Sequence, residues 1–314
     1  MLGFTIDSIR LFVRPEMLYD FDSSSLNFTP IHKNWKEGFY KNFKIKFDKD
    51  KGMYLSGSIS NYYKGSISLI DYSELKLAIE SLSNELKINL HEAKLYRVDL
   101  ALNIETDKPI NQYSHLLFTD LPHFKRLEQK DGVRFETNSK VIAIYNKKQE
   151  LLEKRKIDVH KDVLRIEFRI TKNLSNVFKI NKMKMKDLYN PFVYKVLIQT
   201  FYKYYHKIKK QVFIEKDNIL EDYITPKTFY KYLIEKILSY TCEKDLYRQI
   251  DQWDNEKRFK NPMDKSRCRK IIADNLKDSK TAKINPLAEE VNKKVNIECQ
   301  KILNDIEEKL KNYD

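Results

Sequence analysis

Leu164-Arg165-Ile166-Glu167-Phe168-Arg169-Ile170 alternates apolar and charged side chains without a break. Alternate residues of a strand face opposite sides of a sheet, so Leu164, Ile166, Phe168 and Ile170 share one face and Arg165, Glu167 and Arg169 the other. Two further runs repeat this layout. Arg97-Val98-Asp99-Leu100-Ala101-Leu102-Asn103 sets Val98, Leu100 and Leu102 against Arg97, Asp99 and Asn103. Val141-Ile142-Ala143-Ile144-Tyr145-Asn146-Lys147 sets Ile142 and Ile144 against Val141, Ala143, Tyr145 and Lys147. In a common sheet, the apolar sides make one core surface under helices. The opposite side then gathers two carboxylates, three arginines, a lysine and a tyrosine.

Outward from these runs, residues 5–13, 42–48 and 52–59 read as strands, with Asp48-Lys49-Asp50-Lys51-Gly52 as a hairpin turn. Residues 95–104, 140–145 and 163–170 supply three more. Ser73 is the expected N-cap of a helix reaching Ile88, with Leu75, Ile79, Leu82 and Leu86 along one face. Another helix is expected from Lys147 or Lys148 through Leu152. After Thr171 strand alternation stops, and residues 187–210, 218–223 and 225–240 read as helices. Thr225-Pro226 is a start signal, a cap followed by proline at the first helical position. Residues 251–286 are polar and weakly patterned, and a last helix from Pro286 to about 313 carries Val291, Val295, Ile302, Ile306 and Leu310 in one stripe. The pattern predicts an α+β fold: an antiparallel or mixed sheet with helices on one face, followed by a mainly helical region. The expected division is a catalytic unit over residues 1–172, a helical DNA-recognition or support region over 173–250, and a polar segment with a C-terminal helix over 251–314.

Lysine and arginine outnumber aspartate and glutamate 59 to 45, a net charge of +14. That balance points to a polyanionic partner, whether DNA, RNA or an acidic membrane surface; a merely soluble surface is the competing reading. No window approaches the ~18 apolar residues of a membrane span. The first 13 residues alternate like a strand and lack a secretory layout. Cys242, Cys268 and Cys299 are far apart and not in metal-ligand spacing, so a reducing, cytoplasmic setting without structural zinc is expected.

The polar sheet face carries the candidate chemistry. Asp99 and Glu167, with Glu150 at the start of the next helix, are oxygen ligands suited to Mg²⁺ or Mn²⁺. Arg97, Arg165, Arg169 and Lys147 suit phosphates. Tyr145, between metal and phosphate, suits attack on phosphorus, and Lys147 is placed with it in the catalytic set. The competing reading is a solvated antiparallel sheet of salt-bridged arginine, aspartate and glutamate. Most of the 20 tyrosines belong in cores or interfaces on general grounds.

At these residues the sequence resembles the replication initiators of filamentous phages, the gene II nickase family, with their plasmid and chromosomal relatives. The matching segments are Ser56-Gly57-Ser58-Ile59-Ser60-Asn61-Tyr62-Tyr63-Lys64-Gly65, Tyr96-Arg97-Val98-Asp99, the run from Val141 through Tyr145-Asn146-Lys147 to Glu150-Leu151, and Leu164-Arg165-Ile166-Glu167-Phe168-Arg169, in that order. A weaker similarity continues to about Ile237 around Thr225-Pro226-Lys227-Thr228-Phe229-Tyr230. No single motif is specific, whereas the ordered set is. The resemblance implies rolling-circle replication. One strand is nicked at a double-stranded origin, the enzyme stays joined to the 5′ phosphate through a tyrosine, and a 3′ hydroxyl is left for polymerase. The displaced circle is later closed. It also implies that Tyr145 is the nucleophile. The implied partners are origin DNA, duplex and single-stranded, with a host helicase and polymerase. Lys64 is assigned to DNA with its segment. Lys227, Tyr230 and Lys231, near the start of the helix at Thr225-Pro226, are assigned to duplex reading, with a support layer as the alternative. No two histidines form the His-x-His pair by which many tyrosine nickases hold metal.

Three rival functions remain open at this point. A relaxase or strand-transfer nickase of a mobile element would use the same chemistry. A non-catalytic nucleic-acid-binding protein would use the sheet face only as a grip. A membrane-surface protein would need a basic amphipathic helix, and residues 201–210, though basic and aromatic, interleave tyrosines suited to packing.

Overall fold

The computed structural model describes residues 3–65, 70–113, 117–214, 230, 243–278 and 282–311. The first half runs β1 (Gly3–Val13), β2 (Thr29–His32), β3 (Trp35–Tyr40), β4 (Phe43–Asp48), β5 (Gly52–Ser58), α1 (Ile59–Lys64), α2 (Glu74–Leu86) and β6 (Lys94–Glu105). It continues with β7 (Phe118–Asp120), β8 (Lys125–Gln129), β9 (Gly132–Glu136), β10 (Lys140–Asn146), α3 (Lys147–Arg155) and β11 (Val163–Ile170). The remainder is α4 (Leu174–Phe178), α5 (Pro191–His206), β12 (Lys209–Lys210), β13 (Val212–Ile214), α6 (Glu243–Asn255), α7 (Pro262–Asp278), β14 (Ala282–Ile284) and α8 (Pro286–Lys311).

Ten strands form one antiparallel sheet in the order β2-β3-β4-β5-β1-β6-β11-β10-β9-β8. The pair β1–β6 is its centre, with a meander of consecutive strands on either side. The α+β class expected from the sequence is therefore the observed one: a large antiparallel sheet with a helical C-terminal region.

Two irregularities set which side chains face the core. In β1, Phe4 and Ile6 are buried, and so are Ile9, Leu11 and Val13. A regular strand would send Ile6 and Ile9 to opposite faces. A bulge between Ile6 and Ser8 in the pairing with β6 resets the parity, leaving Asp7 and Ser8 off the core face. A second irregularity between Arg10 and Leu11 does the same for Tyr96 and Arg97 on β6.

The core lies between the apolar sheet face and the helices. Helix α5 buries Val193, Tyr194, Leu197, Ile198, Phe201 and Tyr205. Phe201 meets Phe4 edge to face at 4.8 Å and Phe168 at 6.4 Å, contacts worth about 0.5–1.5 kcal/mol each beyond area burial. Asn190 caps α5 by accepting the Phe192 amide at 2.8 Å, and Pro191 opens the helix where no amide is needed. Along α8, Val291, Val295, Cys299 and Ile306 are buried, and Ile302 and Leu310 pack partly against the core. Glu290 of α8 accepts the Asp107 amide at 2.9 Å, and Lys294 donates to the Glu105 carbonyl at 2.7 Å, fastening α8 to the end of β6.

Several elements differ from the sequence expectation. Ser73 precedes α2, but Asp71 does the capping, accepting the Glu74 amide at 3.0 Å and the Ser73 hydroxyl at 2.5 Å. Strands β2, β3, β7, β8, β9, β13 and β14 lie where the sequence pattern predicts no strand. The helix expected over 187–210 is split: a 3-10 turn at Met185–Tyr189, α5, then β12. The weakly patterned stretch holds α7 and the end of α6, joined by Lys265 to Asp251 at 3.0 Å and to Asp254 at 2.7 Å. The expected helices at 218–223 and 225–240 lie outside the described residues except Tyr230. Among the described residues, no helix is long and apolar enough to cross a membrane.

Candidate active site

Residues 97–103, 164–170 and 141–146 fall on adjacent strands, β6, β11 and β10, and Lys147 opens α3. Register sets Asp99 opposite Arg169, Ala101 opposite Glu167, Ala143 opposite Glu167 and Tyr145 opposite Arg165. Glu167 is thus flanked by alanines on both sides, which leaves a depression in the polar face. That depression is the floor of an open cleft of about 520 Å³, whose lining includes Asp7, Ser8, Ser58, Arg134, Tyr145, Lys147, Glu150, Arg165, Glu167 and Arg169.

Tyr145 reaches diagonally across β11 and donates its hydroxyl to Glu167 Oε1 at 2.6 Å. Diagonal neighbours on a sheet are within reach of an aromatic side chain. Burial and the Glu167 charge push the phenol well above its ordinary value of 10, against the opposing pull of Arg165. The resting hydroxyl is therefore a neutral donor, held by a carboxylate positioned to take its proton. Strand β9 runs close against the Tyr145 backbone. A Cβ on Gly132, which pairs with Tyr145, would lie 2.7 Å from Tyr145 Cα and closer still to the Ile144 carbonyl.

Arg165 is 3% exposed and turned inward. One terminal nitrogen lies 2.8 Å from Asp7 Oδ1, and Nε lies 3.0 Å from Glu167 Oε1, too far off axis for a hydrogen bond. The sequence reading assigned this guanidinium to the DNA backbone; in the structure it holds two carboxylates, and its reach to solvent is closed by burial. Asp7, from the β1 bulge, also accepts Ser8 Oγ at 2.9 Å and Ser58 Oγ at 3.2 Å. Burial alone would raise its pKa, but Arg165, the Ser8 hydroxyl and Lys147 together hold it below the usual carboxylate value.

Lys147 sits two residues beyond Tyr145 and pairs with Glu150 at 2.6 Å. Burial and the neighbouring Arg165 charge lower its pKa, with Glu150 opposing. Asp99, 2% exposed, is clasped from both sides: Arg97 Nε at 2.7 Å on Oδ1, a second Arg97 contact on Oδ2, and Arg169 Nε at 2.9 Å on Oδ2.

The three carboxylates read from the sequence as Mg²⁺ or Mn²⁺ ligands thus share a cleft but do not converge. Asp99 faces two guanidiniums, Glu150 faces Lys147, and Glu167 faces Tyr145 and Arg165. Among the described residues, no three His, Cys, Asp or Glu side chains form a group that could hold a metal. The residues do not fit an ion bound jointly by Asp99, Glu150 and Glu167.

Lys64 is outside the cleft lining and pairs with Glu74 at 2.5 Å. Tyr230 is 63% exposed, and Lys227 and Lys231 lie outside the described residues. The sequence reading missed Asp7, Arg134 and Gly132. For Asp7 a signal existed: the apolar residues Phe4, Ile6, Ile9, Leu11 and Val13 change parity across Asp7-Ser8, the mark of a bulge. No protein-family model matches this chain, and no curated protein matches it.

Proposed function

We propose that the chain nicks and rejoins single-stranded DNA through a covalent link to Tyr145, the chemistry of a rolling-circle initiator. The observation that carries the reading is the Tyr145 hydroxyl donated to Glu167 at 2.6 Å on the floor of a cleft bordered by arginines and Lys147. A nucleophile hydrogen-bonded to a base, with the base held by a third group, is the arrangement of an activated hydroxyl. Here Arg165 holds Glu167, and Asp7 holds Arg165.

Tyr145 Oη attacks the phosphorus in line with the 3′ oxygen, and its proton passes to Glu167. The phosphorus–3′ oxygen bond breaks. Lys147, whose pKa burial has lowered, gives the departing oxygen a proton. The products are a 5′-phosphotyrosyl strand and a free 3′ hydroxyl, which a polymerase can extend. Rejoining reverses each step: the 3′ hydroxyl attacks, Lys147 recovers a proton, and Tyr145 leaves with the proton on Glu167. Arg169, clasped to Asp99, and Arg134, paired with Glu136 at 2.9 Å, stand at the cleft wall and offer their remaining N–H groups to the phosphate oxygens as charge develops on them. No step is assigned to a metal ion.

The test uses a pool of random-sequence single strands carrying a 3′ fluorophore, incubated with the full chain and then denatured. The reading expects fluorescence to migrate with the protein, and Tyr145→Phe to abolish this while retaining DNA binding. Full-yield adduct from Tyr145→Phe rejects it.

A further inference from the structure

The polar sheet face does not end at the cleft. Ser8 and Ser58 line the cleft, and two residues further along the same strands Arg10 and Ser56 line a second hollow of about 310 Å³ with Lys44, Lys46 and Tyr54. Residues two apart on a strand are about 6.6 Å apart on one face, so the hollow adjoins the cleft on the same face of the sheet.

One ring, Tyr54, lines the hollow, and three more adjoin it. Tyr54 lies 5.7 Å from Trp35, 4.9 Å from Phe12 and 5.9 Å from Tyr96, centroid to centroid. These four rings lie off the core: Phe28, Phe47 and Tyr62 pack against the buried cluster, whereas Phe12, Trp35, Tyr54 and Tyr96 are not among its contacts. On β3, Phe39 stands 63% exposed, opposite Lys44 in register.

Cations interleave with the rings. Lys44 and Lys46 share one carboxylate, Glu37, at 2.5 and 3.5 Å. Lys94 lies 4.7 Å over the Tyr96 ring. The remaining cation, Arg10, is exposed and has no ion pair among the described residues. A half-buried cluster of rings beside an under-neutralised row of cations matches the two chemistries of an unpaired nucleotide strand, base and phosphate. A duplex would offer only its phosphates to such rings.

We infer that this face, from β3 to β1, seats the single-stranded DNA flanking the scissile phosphate, with Tyr54 and Trp35 stacking bases and Arg10 and Lys46 holding the backbone. Naming DNA as the strand rests on the nicking reading; the arrangement of rings and cations does not.

The test is fluorescence anisotropy of the full chain with labelled oligothymidylates of about 4 to 16 nucleotides, the site-size range of sheet-type single-strand binders. Tyr54→Ser is expected to weaken binding by about 5- to 150-fold, and Tyr54→Phe, which keeps the ring, to bind as wild type. Arg10→Ser, at an exposed side chain, is expected to flatten the dependence of log affinity on log salt by about 0.7. Wild-type binding and salt slope in Tyr54→Ser and Arg10→Ser overturn the inference. So does tighter binding of oligouridylate than oligothymidylate, or a wild-type dimer in sedimentation that Tyr54→Ser dissolves, which would make the face a contact between copies. Loss of binding in these variants with no covalent adduct in any protein keeps the strand seat and removes nicking. Adduct formation with unaffected variants does the reverse.

Discussion

Replacing Glu167 with glutamine separates two ways in which Tyr145 could reach phosphorus. The amide keeps the size of the side chain and can still accept the 2.6 Å hydrogen bond, but it cannot take the proton. Removing a general base lowers rates by about 10²–10⁴-fold, which is about 2.7–5.4 kcal/mol at 1.36 kcal/mol per tenfold. The phenol moves the other way. Burial and the Glu167 charge raise its pKa, so glutamine lowers it and increases the phenolate fraction. If attack required a phenolate formed in advance, the variant would be faster than wild type at every pH below the phenol's value. With Glu167 as proton acceptor, it is slower, and the deficit narrows by about tenfold per pH unit as free phenolate accumulates below the phenol's pKa. Stability should fall little, about 1–2 kcal/mol, because Arg165 keeps Asp7 at 2.8 Å. The assay is single-turnover adduct formation on a sequence recovered from the random pool, from about pH 6 to about pH 9, with thermal unfolding as the control. A glutamine variant as fast as wild type at neutral pH, or faster, refutes the reasoning.

Lys147→Met should slow nicking by about 10²-fold or more, and a substrate whose scissile 3′ oxygen is sulfur should restore the rate, since a thiolate leaves without a proton; an equal deficit on both substrates would show that Lys147 acts otherwise. Asp99→Asn releases two guanidiniums from their clasp, so it should change the salt dependence of DNA binding and leave any Mn²⁺ half-saturation of cleavage unmoved, whereas a shifted half-saturation would make Asp99 a metal ligand. Asp7 is held below its ordinary carboxylate value, so its contribution to stability is present above the unfolded value of about 3.9 and is lost as pH falls through the depressed folded value. The melting-temperature gap between Asp7→Asn and wild type should therefore be wide at neutral pH and close on acidification; a constant gap would mean that Asp7 contributes by packing alone.

Much of the fold was legible because the deciding strands keep strict alternation. Residues 163–170 of the sequence reading coincide with β11, and the faces read for Glu167 and Tyr145 are the faces observed. The edge strands were not legible for the opposite reason. Thr29–His32 is exposed at every position and Lys125–Gln129 at three of five, so neither has an apolar face to betray it. Helix α7 hid similarly, because it buries little and is held to α6 by ion pairs of Lys265 and Arg269 rather than by an apolar stripe. At the site, alternation assigned side chains to a face but could not say which neighbours each would meet. The β1 bulge puts Asp7 beside Arg165, and register puts Arg169 directly opposite Asp99. Both contacts join strands far apart in sequence, and pairing between strands is what a single strand's pattern leaves out.

The central claim is that Tyr145 becomes joined to DNA. An oligonucleotide carrying sulfur in place of the scissile 3′ oxygen traps that state, because the departing thiol is a poor nucleophile for the return step. Tandem mass spectrometry of the digested adduct then locates the phosphate. The account predicts one nucleotide-bearing peptide, spanning β10 and modified on Tyr145. A phosphate on Tyr62, Tyr63 or Tyr96, or the absence of any covalent species from a substrate that the protein binds, would contradict it.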